Sequence, residues 1–197
     1  MRVGLLGGTF DPIHFGHLAA ADAAIDCADL DHVVFIPAAQ PPHRPPAVAS
    51  PDQRLEMCRL GIEGEPQFEV SDIELKREGP SYSVDTLKEM RRVQPDAELF
   101  LILGWDAARL FSTWHKPNEV SELAMIVIVA RPGSAAPREE DLKGVGLDKA
   151  RVVLCVRTTP DVSASEIRKA IAASEPITGK VPKAVEMYIA SHRLYAG

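Results

Sequence analysis

A chain of 197 residues, 46% of them hydrophobic, can bury one sizeable core and is too apolar for a disordered segment. Its 22 Lys and Arg against 28 Asp and Glu give a formal net charge of -6, which argues against a general nucleic-acid binder, since that needs a basic face. No run approaches the ~18 apolar residues of a membrane helix, and the widely spaced Cys27, Cys58 and Cys155 read as buried thiols of a reducing compartment, not as a disulfide framework.

The chain opens on Val3–Leu6, a short apolar run that reads as a buried parallel strand, with no signal-peptide pattern before it. Leu18 to Ile25, rich in alanine, reads as the first helix. Further strands are expected at Val33–Ile36, Phe68–Val70, Leu99–Leu103, Met125–Val129 and Val152–Val156. Helical patterns lie around Gln53–Gly61, Val84–Arg92, Ala107–Thr113 and Glu119–Leu123. Ser163–Ala173 and Pro182–Ser191 close the chain as two helices, with Pro182 suited to a first turn. Residues 132–148, carrying Pro, Ser and charge, read as a surface loop without a chemical role. Strands alternating with helices predict an α/β fold. The sheet should be Rossmann-like, doubly wound and mostly parallel, with helices on both faces. A single domain 1–197 is expected, its portion from about 160 to 197 helical.

Ligands on such sheets bind beyond the carboxyl ends of the strands. The notable polar motifs all follow strands: Gly8-Thr9, Gln40–Arg44, Gly104-Trp105-Asp106 and Arg131-Pro132-Gly133. Between the first strand and the first helix stands Gly7-Gly8-Thr9-Phe10-Asp11-Pro12-Ile13-His14-Phe15-Gly16-His17. Glycines there let backbone amides approach a ligand, and a helix start adds unpaired donors and a positive dipole end, which suits phosphate. His14 and His17, three apart, share one face of a helical turn. A zinc site is disfavoured, because zinc wants three or four protein ligands and no HExxH or CxxC accompanies them. The dinucleotide GxGxxG, the P-loop and the GxSxG elbow are all absent.

This strand-turn-helix resembles the HxGH signature of the nucleotidylyltransferase superfamily. Its longer form resembles GGTFDPIHxGHL of the nicotinate-nucleotide adenylyltransferase branch. The resemblance implies transfer of AMP from ATP to nicotinate mononucleotide in NAD synthesis. It assigns His14, His17 and Arg168 to catalysis. Gly8, Thr9 and Phe10 of the turn would join them in binding ATP. Mg²⁺ would be held mainly by phosphates and water, not by a protein cage. The expected partners are those two small molecules, with no nucleic acid and no membrane; the setting is cytoplasmic, and homo-oligomers are compatible with it.

Four further segments extend the resemblance. Gln40-Pro41-Pro42-His43-Arg44, by itself a stiff proline loop, resembles PPHK, so Arg44 would lie over the nucleotide phosphates. Tyr82-Ser83-Val84-Asp85-Thr86-Leu87 reads as a helix start with Ser83 as N-cap. It also resembles SYTxDTL, which assigns Ser83 and Thr86 to the nicotinate carboxylate and ring. Gly104-Trp105-Asp106 through Trp114 resembles GxDxLxxLxxW. Asp106 would then bind ribose hydroxyls and Trp114 would stack on the pyridine, whereas local sequence alone makes Trp105 and Trp114 core residues. Ser163-Ala164-Ser165-Glu166-Ile167-Arg168 resembles ISSTEIR, with Ala164 in place of a serine. Ser163 and Ser165 could cap a helix and touch phosphate, and Arg168 could bind the leaving pyrophosphate or pair with Glu166 at the surface. Arg131, placed after its strand, would be a further nucleotide contact. The tail from Met187 to Tyr195 follows the family ending but reads as helix packing. Other acceptors within the superfamily (nicotinamide mononucleotide or phosphopantetheine) and a non-catalytic nucleotide-binding regulator are the alternatives.

Overall fold

The computed structural model describes residues 1–42, 45–130, 137–157 and 159–196. The elements run β1 (Arg2–Gly8), α1 (Phe15–Ala28), β2 (His32–Pro37), α2 (Pro51–Gly61), β3 (Phe68–Val70), α3 (Ser83–Val93) and β4 (Glu98–Gly104). They continue with α4 (Trp105–Ala108), α5 (Pro117–Leu123), β5 (Met125–Val129), α6 (Glu139–Gly144), β6 (Val152–Cys155), α7 (Ala164–Ala172) and α8 (Lys183–Ser191). Among the described residues six strands form one sheet in the order β3-β2-β1-β4-β5-β6, and every pairing is parallel. The expected strands are all present, each within two residues of its predicted ends.

Strand residues point alternately to the two faces, and both faces are covered. Val33, Phe35, Phe100, Ile102, Val127 and Val129 pack with α1, α2, α7 and α8 on one side. Val34, Ile36, Leu99, Leu101, Ile126 and Ile128 pack with α3, α5 and α6 on the other. Strand order reverses between β1 and β4, whose crossovers run to opposite sides, and the carboxyl ends of these two strands are the switch point at which such sheets bind ligands.

Several local expectations are corrected. The stretch 132–148 is not merely a loop, since its described part contains α6, anchored by buried Leu142 and Leu147. The helix expected over Ala107–Thr113 splits into α4 and a separate 3₁₀ turn, Phe111–Thr113. There the Thr113 hydroxyl donates to the Leu110 carbonyl at 2.7 Å, a local bond that competes with helix continuation. Pro182 is the N-cap of α8, not its first helical residue. The cysteine reading also fails in part. Cys27 and Cys155 form a disulfide, while Cys58 is free and buried. Packing of α1 against β6 brings together two cysteines 128 residues apart, a juxtaposition no spacing rule reveals. Among the described residues no helix is long and apolar enough to cross a membrane.

Candidate active site

The loop after β1 carries the geometry. Gly7 and Gly8 finish β1 itself, and the left-handed residue of the turn is Phe10, with φ 49°. Its ring is buried, meets Phe35 at 5.8 Å, and would lie 3.0 Å from a Cβ added at Gly8. Phe10 is thus a core side chain, and only its main chain could serve a ligand. Thr9 Oγ1 is buried and has no hydrogen-bond partner among the described residues, so it is a hydroxyl awaiting one.

His14 is the N-cap of α1, and its ring stacks on that of His17 with centroids 3.7 Å apart. The helix starts reciprocally. The His17 amide donates to the His14 carbonyl at 2.9 Å, and the His14 amide donates to His17 Nδ1 at 3.3 Å. An amide can only donate, so Nδ1 must accept, and in the neutral ring the proton sits on Nε2. Phe10 braces the same ring edge-on at 4.9 Å. A Cβ at Gly16 would stand 3.0 Å from His14 Nδ1 and 3.3 Å from the Val162 carbonyl. Glycine is therefore favoured between the histidines by close packing, not by backbone dihedral. Gly16→Ala is expected to displace the His14 ring by a few tenths of an ångström and lower kcat about ten-fold, with little change in melting temperature. Steady-state kinetics beside a thermal melt checks this.

The other groups expected at the phosphates are linked to that loop. The proximity of Val162 to Gly16 brings the start of α7 against α1. Ser163 is the N-cap of α7: its Oγ accepts from the Glu166 amide at 3.2 Å and donates to Glu166 Oε2 at 3.0 Å. Ser165 is exposed on the first turn. Arg168 does not pair with Glu166; its Nη1 donates to the Asp11 carbonyl at 2.7 Å and lies 3.8 Å from the Asp11 carboxylate.

A second group of predicted residues lies beyond β4 and at the start of α3. Gly104 is the N-cap of α4, and Asp106 is exposed in its first turn, accepting from Arg109 at 3.3 Å. Trp114 is half-buried, with its ring 5.4 Å from Phe111, so it is neither a full core residue nor free of the core. Tyr82 stacks on His115 at 4.4 Å, joining the residue after Trp114 to the start of α3. Tyr82, not Ser83, is the N-cap there, and no side chain caps it. The Tyr82 carbonyl accepts from the amides of Asp85 and Thr86, which leaves the Ser83 and Val84 amides outside the helical ladder. The Thr86 hydroxyl turns inward instead, donating to buried Glu74 Oε1 at 2.6 Å and accepting from Arg77 at 3.2 Å. Arg44 and Arg131 lie outside the described residues.

Three residues with no sequence-based role underlie the loop. The Asp11 carboxylate, 4% exposed, accepts from the amides of Val48 and Ala49 and from the Tyr195 hydroxyl. Arg54, 1% exposed, donates to the Thr9 carbonyl at 2.7 Å. Burial pushes its guanidinium below the usual range, and the charge of Asp11 opposes that. One signal for Arg54 was legible. It shares a helical face with Met57, Cys58 and Gly61 at core spacing, and a cation there demands a buried partner. Tyr195 gave no such signal.

Residues 5–170 match the family model for cytidylyltransferase-like proteins. A probable nicotinate-nucleotide adenylyltransferase of Thermus thermophilus is 45% identical over 99% of this chain and 100% of its own length. One of Thermomicrobium roseum is 40% identical over 98% of this chain and 91% of its own. The fold is shared with the nicotinic acid mononucleotide adenylyltransferase of Plasmodium falciparum complexed with NaAD, at TM-score 0.80 and 19% identity, covering 98% of this chain and 97% of that one. The chain therefore belongs to the cytidylyltransferase-like family and, within it, to the nicotinate-nucleotide adenylyltransferases.

Proposed function

We propose that this chain transfers AMP from ATP to nicotinate mononucleotide, giving nicotinate adenine dinucleotide and pyrophosphate. The observation that carries this reading is the stacked His14–His17 pair on the first turn of α1, with Arg168 tethered to Asp11 of the same loop. The mononucleotide phosphate is itself the nucleophile. Its oxygen attacks the α-phosphorus, the bond from that phosphorus to the bridging oxygen breaks, and the pair of electrons leaves with pyrophosphate. No protein nucleophile or general base is required, so catalysis rests on alignment and on donors aimed at the developing charge. His17 Nε2–H and the Thr9 hydroxyl are suited to the α-phosphate, with His14 beside them. Arg168 suits the leaving pyrophosphate, and Ser163, Ser165, Arg44 and Arg131 extend the triphosphate path. Asp106 suits the ribose hydroxyls, and Trp114 with the Ser83 amide the nicotinate end; Thr86 acts there by position, since its hydroxyl is engaged with Glu74.

Among the described residues no three His, Cys, Asp or Glu side chains group to hold a metal, and the Asp11 carboxylate is taken up by two amides and a phenol. Mg²⁺ commonly keeps its waters and binds through substrate phosphates, which suits a cation carried on the triphosphate itself. Mg²⁺ bound there would neutralise phosphate charge. We place the reaction in the cytoplasm; the Cys27–Cys155 bond removes the cysteine count as support for that.

Incubation with ATP, Mg²⁺ and each candidate mononucleotide tests the reading: dinucleotide and pyrophosphate should form with nicotinate mononucleotide. ATP binding without pyrophosphate release would instead mark a sensor. The amides of Ser83 and Val84 favour a carboxylate, which offers two acceptor oxygens and a negative charge, whereas a carboxamide offers one oxygen, no charge and an NH₂ that cannot accept from the second amide. An acid-over-amide ratio in kcat/KM of at least about ten-fold is expected. Equal values would remove this account of selectivity.

A further inference from the structure

Beyond α8 the chain does not simply stop against the core. It turns through two left-handed residues, Arg193 (φ 50°) and Tyr195 (φ 63°), a conformation that side chains other than glycine adopt only when surrounding contacts hold them. The contact at the end is specific. The Tyr195 hydroxyl donates to Asp11 Oδ1 at 2.7 Å in a buried setting, with Met57 Sδ at 4.0 Å. Asp11 Oδ1 also accepts from the Ala49 amide at 3.0 Å, and Oδ2 from the Val48 amide at 2.8 Å. The main-chain carbonyl of the same residue takes Arg168 Nη1. Four segments distant in sequence therefore meet on one residue: the histidine loop, the loop entering α2, α7 and the C-terminal tail.

Burial, then the bond to Asp11, pushes the Tyr195 phenol above its ordinary range, so it remains a donor at any working pH. Packing alone does not ask for a hydroxyl, because the ring already lies in the apolar cluster that contains Ile167 and Val185. A phenylalanine would fill the same space. The hydroxyl has one strong partner, and that partner holds Arg168.

We propose that Tyr195 is a positioning residue for adenylyl transfer: by fixing Asp11, it sets where the Arg168 guanidinium stands against the departing pyrophosphate. The inference rests on the adenylyltransferase reading, and its test separates the two. If the unsubstituted chain makes no dinucleotide from any mononucleotide, the activity itself is wrong; the inference is tested on a chain that does.

Tyr195→Phe is expected to lower kcat about ten-fold and raise KM for pyrophosphate in the reverse direction about five-fold, with KM for nicotinate mononucleotide within about two-fold. A loss of packing would not select pyrophosphate. Placing para-aminophenylalanine at position 195, which restores a donor, should recover kcat to within about three-fold. In an Arg168→Ala background Tyr195→Phe should cost nothing further, because residues acting through one another are not additive. Should Tyr195→Phe not fold, para-amino- and para-methylphenylalanine at that position, alike in shape, make the same comparison. Parent-like kinetics without the donor, or an undiminished loss in the Arg168→Ala background, overturns the proposal.

Discussion

Replacing His17 by alanine is expected to lower kcat by about 10²–10³-fold, the usual cost of one preorganised donor at a developing charge. The ring is held on three sides. It is stacked on His14 at 3.7 Å, braced by Phe10 at 4.9 Å, and hydrogen-bonded at Nδ1 by the His14 amide. That bond places the proton on Nε2, so the donor is fixed in tautomer as well as direction before substrate arrives. The stability cost should be small, about 1 kcal/mol for one lost hydrogen bond to a helix start. Turnover and melting temperature therefore separate: kcat should collapse while the protein remains folded. A variant that keeps near-parental turnover at saturating ATP would leave the histidine pair with no catalytic part.

Much of this architecture was legible because the strands are buried on both faces. Continuous apolar runs such as Leu99–Leu103 and Met125–Val129 have no other stable use in a chain alternating with amphipathic helices. The histidine pair was legible for a different reason, since His14 and His17 are constrained locally, by a helix cap, a mutual stack and the glycine packed between them. What stayed hidden depends on contacts between distant segments. The meeting of α1 with β6 pairs Cys27 with Cys155, and the inward turn of Thr86 needs Glu74 from the preceding loop. Likewise α6 is hard to read from sequence because few apolar residues, Leu142, Val145 and Leu147 among them, anchor it within a charged stretch. Asp11 stood in plain view within the first motif, but its partners come from residues 48, 49, 168 and 195, so no spacing rule could assign it.

That carboxylate should also dominate stability. Asp11→Ala is expected to destabilise the fold by about 3–5 kcal/mol, since it leaves two amides and a buried phenol without an acceptor and strips the counter-charge from Arg54. Arg54 is 1% exposed, and among the described residues its hydrogen bond to the Thr9 carbonyl does not neutralise it and its Nε has no partner. For a chain of this size each kcal/mol moves the melting temperature by about 2–4 °C, so a fall of roughly 10 °C should follow. Adding Arg54→Met to Asp11→Ala should recover part of it, because removing a buried cation along with its counter-charge costs less than stranding it. Urea unfolding of the parent, the single variant and the double variant measures both effects. An unchanged midpoint for Asp11→Ala would mean that the loop is held by its apolar contacts alone. A double variant weaker than the single would mean that the bond from Arg54 to Thr9 outweighs the cost of burying its charge.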